Sequence, residues 1–229
     1  MDAEQLTIKV NDTDSLSGFL YLAPKKNRVG VTLILGHGAG AGQLTPFMRL
    51  FASGLAGRGL DVVTFNFVYM EQGRKVPDPA PKLEATYRKV IESVAANKNL
   101  KGNRVFAGGK SMGGRIASQV AAQQSADEQQ ISGLVFLGYP LHPPGRPEKL
   151  RDQHLPQIKA PMLFIQGSRD AFGSEDEIRA TVKGLKLPAT LHIVGGGDHS
   201  LKVPKSGGIP QHEIYEAAMD EIATWCREH

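Results

Sequence analysis

Residues 104–115, RVFAGGKSMGGR, decide the fold. They begin as an apolar, strand-forming run, pass through two glycines to Ser111, and continue into an alanine-rich stretch. Gly109 and Gly113 stand two residues before and two residues after Ser111, which is the G-x-S-x-G pattern of an abrupt strand-to-helix turn. Such a turn brings strand and helix so close together that both flanking positions must be small. The pattern therefore predicts a strand, a sharp bend at Ser111, and a helix.

Two phosphate-binding interpretations of the glycine-rich segments fail on spacing. A P-loop needs a glycine five residues before Gly109, so that the backbone can wrap the phosphates, and Arg104 stands there. Residues 36–41, GHGAGA, fit a dinucleotide fingerprint, but that site needs an acidic residue at the end of the next strand. The next strand ends in FNF (65–67), with no carboxylate. We therefore expect no nucleotide cofactor.

Apolar, β-branched runs recur on both sides of the turn and alternate with segments of helical periodicity. This alternation predicts an α/β fold of three layers, a mostly parallel central sheet with helices on both faces. The connections at 68–81 and 139–147 are too short to form a lid domain. The predicted strands are residues 6–10, 16–23, 29–36, 62–67, 104–109, 131–138, 161–167 and 189–195.

The composition excludes several classes of protein. The chain has 229 residues and a net charge of only +4, with scattered basic residues, so nucleic-acid binding is not expected. The single cysteine, Cys226, cannot form an intrachain disulfide and favours the cytoplasm. The first ten residues have neither the basic nor the apolar region of a signal peptide, so none is expected, and no apolar run is long enough to span a membrane. We expect one domain over residues 1–229, without a membrane partner, and leave the oligomeric state open.

A serine becomes a strong nucleophile only beside a base that is itself oriented by an acid. Where the serine lies at such a turn, the acid and then the histidine follow along the chain. Asp170 and His199 each follow a predicted strand, at the sheet edge where parallel sheets place their sites. Asp198 is a second candidate acid, but neighbouring side chains usually point apart in an extended loop. The predicted catalytic residues are therefore Ser111, Asp170 and His199, and no motif predicts a metal site.

Two backbone amides are expected to bind the negative oxygen of the tetrahedral intermediate. One belongs to Met112, directly after the serine. The other lies in the glycine-rich loop after the strand 29–36, where Ala39 is favoured and Gly40 is next. His37 precedes them and is expected to anchor this loop rather than to react.

Substrate contacts are expected from the two short loops, since no lid is predicted. Tyr69 and Met70 in the first loop, with Tyr139 and Leu141 in the second, are predicted to form an apolar wall for the acyl group of the substrate. With no lid to cover a long chain, a small soluble substrate is expected.

Four motifs together resemble the α/β-hydrolase family: HGAGAG (37–42), GKSMGG (109–114), GSRD (167–170) and GGDHS (196–200). They occur in the family's order, and nearly the whole chain takes part. The sequence is similar to the small lidless branch near dienelactone hydrolases, which have a cysteine where Ser111 stands. The segments NFVYMEQGRK, GKSMGGR and GYPLHPPGRPEKL resemble more closely a smaller family, which includes testis-expressed protein 30 and the hydrolase-like part of a chromatin-complex subunit.

The resemblance implies an α/β-hydrolase fold and a serine hydrolase of the carboxylesterase kind. Such an enzyme acts on a small ester or related acyl substrate without a cofactor. The chromatin-associated relatives imply a second hypothesis, a non-catalytic interaction module that retains the hydrolase scaffold. Because Ser111, Asp170 and His199 are all present, the enzyme is the favoured hypothesis.

Overall fold

Eight strands form one sheet in the computed structural model, which describes residues 3–125, 130–185, 188–204, 206 and 208–229. The order across the sheet is β1-β2-β4-β3-β5-β6-β7-β8. The two pairs that contain β2 are antiparallel, and the remaining pairs are parallel, as predicted. The strands are β1 (Glu4–Lys9), β2 (Ser15–Tyr21), β3 (Val31–Gly36), β4 (Asp61–Phe65), β5 (Arg104–Lys110), β6 (Gly133–Leu137), β7 (Met162–Gly167) and β8 (Ala189–Val194).

Helices cover both faces of the sheet, so the predicted three layers are confirmed. The helices are α1 (Pro46–Gly57), α2 (Val68–Glu71), α3 (Ala80–Ala96), α4 (Met112–Ala122), α5 (Glu175–Gly184) and α6 (Gln211–Glu228). Buried residues of α1 and α6 pack with one face, and those of α3, α4 and α5 pack with the other. The middle strands are therefore buried on both sides, which explains their nearly continuous apolar sequences.

Two of these helices differ from the sequence-based expectation. The α2 helix occupies the start of the predicted loop 68–81, and β4 ends two residues earlier than the predicted strand 62–67. The α5 helix begins with a capping box, in which the backbone amide of Ser174 donates to the Glu177 carboxylate at 2.8 Å. The S-x-x-E pattern at this position is the sequence signal for α5.

No lid domain lies between β6 and β7, a connection that the structure describes throughout. Residues 138–142 are buried, residues 144–150 are exposed, and the helical content of the connection is a single 3₁₀ turn, Leu155–Gln157. Within the described part of the chain, no helix is both long enough and apolar enough to cross a membrane. The carboxyl edge of the parallel strands is left open, and this edge carries the candidate site.

Candidate active site

Ser111 lies at the bend between β5 and α4, with backbone angles of φ 51° and ψ −114°. A positive φ is strained for a residue with a side chain and persists only where the surroundings enforce it. A Cβ atom on Gly109 would lie 2.1 Å from the carbonyl oxygen of Gly36, and one on Gly113 would lie 2.2 Å from the same atom. Only glycine lets β3, β5 and α4 approach this closely, so the two glycines hold the bend that carries the serine.

A chain of hydrogen bonds joins side chains from three strand ends. The Ser111 Oγ lies 2.7 Å from Nε2 of His199, which follows β8. The Nδ1 of His199 lies 2.8 Å from Oδ2 of Asp170, which follows β7. When Nδ1–H donates to the carboxylate, Nε2 has a free lone pair facing the serine hydroxyl. The imidazole is therefore oriented to accept the proton of Ser111.

The carboxylate of Asp170 is fully buried and is held by further donors. The Gln166 side-chain amide donates to its Oδ2 at 2.9 Å, and the Phe172 backbone amide donates to Oδ1 at 2.8 Å. A buried carboxylate without such partners would be costly. The role of Gln166 was not predicted, although a glutamine within an apolar strand is the signal that could have shown it.

Asp198, the other candidate acid, bonds to its own loop. Its Oδ1 accepts from the backbone amides of Ser200, at 2.7 Å, and Lys202, at 3.0 Å. It therefore orders the turn that follows His199, while Asp170 contacts the imidazole.

Two further residues hold His199, and neither was predicted to do so. The Phe172 ring stacks on the imidazole with ring centres 4.1 Å apart and an angle of 26° between the planes. The Lys110 Nζ donates to the backbone carbonyl of His199. Burial lowers the pKa of Lys110 to about 8, against the opposing effect of Asp170 and Asp198. At pH 7 Lys110 is therefore protonated in most molecules. Its ammonium group links the loop of His199 to the end of β5, directly before Ser111.

Changing Lys110 to Met is expected to lower kcat for an activated ester by about tenfold, because losing this charge-assisted bond loosens His199. KM should change little, and the melting temperature should not fall, since Met fills similar volume and removes a buried charge. Steady-state kinetics and thermal unfolding measure both. The matched control is Lys101→Met, which alters an exposed lysine just before β5 begins. An unchanged kcat in Lys110→Met would contradict this role.

The glycine-rich loop after β3 is anchored by two aromatic residues. His37 is buried, and its Nε2 accepts from the Phe67 backbone amide at 3.1 Å while Nδ1 lies 2.8 Å from the Gly38 carbonyl oxygen. Burial lowers the pKa of His37, so the neutral ring with Nδ1–H is favoured. The Tyr69 hydroxyl donates to the Ala39 carbonyl at 3.0 Å. His37 therefore has the anchoring contacts expected of it.

These two bonds also orient the candidate oxyanion-binding amides. In a planar trans peptide, the N–H points away from the preceding carbonyl. Because the Gly38 carbonyl points to His37, the Ala39 N–H points away from His37. Because the Ala39 carbonyl points to Tyr69, the Gly40 N–H points away from Tyr69. Ala39, Gly40 and Met112 all line one cleft with Ser111.

That cleft has a volume of about 820 Å³, and both Ser111 and His199 line it. This volume is in the usual range for small-molecule sites. Most of the wall is apolar and comes from α1, the start of α3, the serine bend and the loop after β7. The larger apolar residues of the wall are Pro46, Phe47, Met48, Leu50, Pro77, Leu83, Met112, Pro140 and Phe172.

The four residues predicted as the acyl wall do not line this cleft, so that expectation is corrected. Tyr69, Tyr139 and Leu141 are exposed by 0%, 1% and 1%, and Met70 packs against the core. Tyr69 supports the glycine-rich loop, and Tyr139 packs between aromatic residues and donates to the Arg151 carbonyl at 2.8 Å. The segments that carry these four residues fold inward, so their side chains pack in the interior.

A protein-family model described as an alpha/beta hydrolase domain matches residues 29–227. This range contains six of the eight described strands, β3 to β8, because β1 and β2 both precede residue 29. It also contains Ser111, Asp170 and His199.

Solved structures with the same fold include three that cover nearly the whole chain. A dienelactone hydrolase from Anabaena variabilis has a TM-score of 0.72 at 20% identity, covering 96% of this chain and 95% of that one. A serine hydrolase without a lid from Xanthomonas campestris has a TM-score of 0.71 at 18% identity, covering 98% and 95%. The esterase domain of a Rhodothermus marinus protein has a TM-score of 0.73 at 13% identity, covering 100% and 99%. At these identities the likeness shows the fold; the narrower resemblance to the family of testis-expressed protein 30 stays a prediction.

Proposed function

The chain belongs to the alpha/beta hydrolase family, and from this premise we propose that it is a serine hydrolase acting on a small ester or related acyl compound. The observation that carries the proposal is the unbroken hydrogen-bond chain from Asp170 through His199 to Ser111, which ends in an apolar cleft. A structural serine needs no oriented base, and a surface used only for docking needs no buried carboxylate behind it.

In the first half of the proposed reaction, the Ser111 Oγ attacks the carbonyl carbon of the substrate. His199 Nε2 takes the hydroxyl proton as the new C–O bond forms, and Asp170 stabilises the resulting imidazolium. The carbonyl oxygen becomes negative and is bound by the amide of Met112 and that of Ala39 or Gly40. When the intermediate collapses, the bond to the leaving group breaks and His199 returns the proton to it.

In the second half, water takes the position of the leaving group. His199 removes a proton from this water, whose oxygen attacks the carbonyl carbon of the acyl-Ser111 ester. Collapse of the second intermediate breaks the bond to Ser111, and the proton on His199 returns to the serine oxygen. The acid is released, and every proton is accounted for without a redox partner.

The alternative, a non-catalytic interaction module, has weaker support. It predicts no covalent reaction at Ser111 and gives no reason for the strained backbone there. We also propose a cytoplasmic location and a single domain, and we assign no oligomeric state. The location is supported by the single cysteine of the sequence, Cys226, which is a free, buried thiol.

An acyl-length series of 4-nitrophenyl esters tests the proposed substrate class. We expect measurable turnover of acetyl to butyryl esters and no further gain for long chains, because the open cleft leaves the outer part of a palmitoyl chain in water. Matched thioesters and lactones in the same assay identify the preferred acyl bond. Activity that rises steadily from acetyl to palmitoyl esters, all kept below their micelle concentrations, would contradict a small substrate.

A further inference from the structure

The charged side chains that line the cleft are mostly basic. Among the described residues of its wall, Lys110, Arg115, Arg151 and Lys202 are basic, and Asp78 is the acidic one. Asp78 is paired with an arginine outside the cleft, at 2.6 Å. The cleft therefore carries an excess of positive charge beside the candidate nucleophile.

Arg115 is the basic residue closest to Ser111 along α4, one helical turn away. Its Nε is buried without a hydrogen-bond partner, and its Nη1 reaches only the Gln119 Oε1, at 3.4 Å. Glu84, whose charge acts on Arg115, bonds instead to Arg88, at 3.5 Å, and to another side-chain amide. Burial and the charge of Arg151 both lower the pKa of Arg115. A half-buried guanidinium with so little compensation is costly in the free protein.

Arg151 also lines the cleft, from the connection between β6 and β7, and lies near enough to Arg115 for the two charges to interact. Its backbone is held at both polar groups: the amide donates to the Leu141 carbonyl at 2.8 Å, and the carbonyl accepts from the Tyr139 hydroxyl. Within the described ranges, its guanidinium has neither a hydrogen bond nor an ion pair. The protein thus fixes the backbone of Arg151 and leaves the charged group available to the cleft.

We propose that Arg115 and Arg151 form an anion subsite that binds a carboxylate of the substrate, so that the natural substrate is an acyl compound with a free carboxylate. This inference rests on the proposed hydrolase function, because it names the substrate class of the same site. Two planar guanidinium groups match the two oxygens of a carboxylate. The bound carboxylate would neutralise the charge that the protein leaves uncompensated.

The test compares 3-acetoxybenzoate with 3-acetoxybenzamide, two acetyl esters of similar shape that differ in charge. The 4-substituted pair is assayed in parallel because it places the carboxylate differently. For each pair, the ratio of the two kcat/KM values is corrected for the alkaline hydrolysis rates of the esters. The variants are Arg115→Gln, Arg151→Gln and the double variant, and the control is Arg146→Gln, an exposed arginine outside the cleft wall.

We expect the parent protein to prefer the carboxylate member of at least one pair by about tenfold, the effect of a charged hydrogen bond. Each single variant should remove most of this preference, the double variant should abolish it, and Arg146→Gln should retain it. The preference should also weaken as salt is raised. Equal rates for the two members of both pairs, or a preference that survives in the double variant, would overturn the anion subsite.

A binding measurement separates failure of this inference from failure of the proposed function. Calorimetric titration of Ser111→Ala with the same compounds requires no hydrolysis. Tighter binding of the carboxylate, lost on adding Arg115→Gln and Arg151→Gln, supports the subsite even if no ester is turned over. Turnover of the neutral esters without any carboxylate preference or binding would leave the hydrolase standing and remove the subsite.

Discussion

Replacing Ser111 by alanine is expected to reduce turnover of 4-nitrophenyl acetate by on the order of 10⁶-fold, the loss seen when a serine protease loses its nucleophile. Alanine keeps the Cβ atom and the helix start, but it removes the one atom that forms the acyl bond. Steady-state or single-turnover kinetics, followed until the uncatalysed rate is reached, measure the loss. The melting temperature should remain within a few degrees of the parent, because the Ser111 hydroxyl bonds only to His199 among the described side chains.

Ser118→Ala is a matched control for this experiment. Ser118 also lies on α4, and its hydroxyl is 2.7 Å from Nε2 of His154. It is buried and outside the cleft wall, and no carboxylate accepts from its histidine in the described structure. We expect turnover within about twofold of the parent, because a serine–histidine pair without access to substrate contributes nothing to the chemistry. Equal losses in the two variants would point to a general disturbance of α4.

Replacing Asp170 by asparagine is expected to lower kcat by on the order of 10⁴-fold, the effect of the corresponding change in a serine protease. Gln166 and Phe172 both donate to the carboxylate, and His199 donates to it as well. An asparagine amide has only one oxygen for these donors. When its NH₂ group faces His199, Nδ1 must accept, the ring proton moves to Nε2, and the imidazole can no longer take the proton of Ser111.

Asp198→Asn is the comparison that identifies the acid. Asp198 is exposed, and its oxygen accepts only from amides of its own loop. An asparagine oxygen can still accept those bonds, so we expect a loss of only a few-fold, about 1 kcal/mol or less. Both variants are checked by circular dichroism and then assayed with one activated ester. A nearly inactive Asp198→Asn beside an active Asp170→Asn would reverse the assignment of the acid.

Sequence periodicity predicts the strands of the sheet but does not reveal the helices α2 and α5. Each of the eight strands is either alternating or continuously apolar, and the connections force most of them to be parallel. The α2 helix has only four residues, too few for a periodic pattern. The α5 helix has ten residues but buries only Ile178 fully, so its apolar face is too narrow to stand out. Its capping box was the better signal.

For the candidate site, the sequence predicts where the backbone places the reactive residues but not which contacts their neighbours make. The positions of Ser111, Asp170 and His199 follow from strand ends, because parallel strands bring their carboxyl ends together. The contacts of Gln166, Lys110 and Phe172 depend on how each side chain turns, which motif spacing does not specify. The cleft wall was predicted wrongly for a related reason. Residues of the two short loops were assigned to the substrate, and no residue of α1 was considered for the wall.

Leu50 illustrates that error. It lies on α1 beside the fully buried Phe51 and between one and two turns from the fully buried Leu55, yet it is 39% exposed and lines the cleft. Periodicity identifies the apolar face of a helix but does not say where a neighbouring element stops covering it. Leu50 remains open to the cleft because the connection between β6 and β7 carries no lid that would cover it. The cleft wall is therefore a consequence of tertiary structure.

Covalent labelling shows directly whether Ser111 is an activated nucleophile. The parent protein is treated with a fluorophosphonate, digested, and mapped by mass spectrometry, with Ser111→Ala treated in the same way. We expect one adduct, on the peptide that contains Ser111, and none on the variant. A parent protein that remains unlabelled under conditions that label a known serine hydrolase, or an adduct that persists in Ser111→Ala, would contradict the claim that Ser111 is an activated nucleophile.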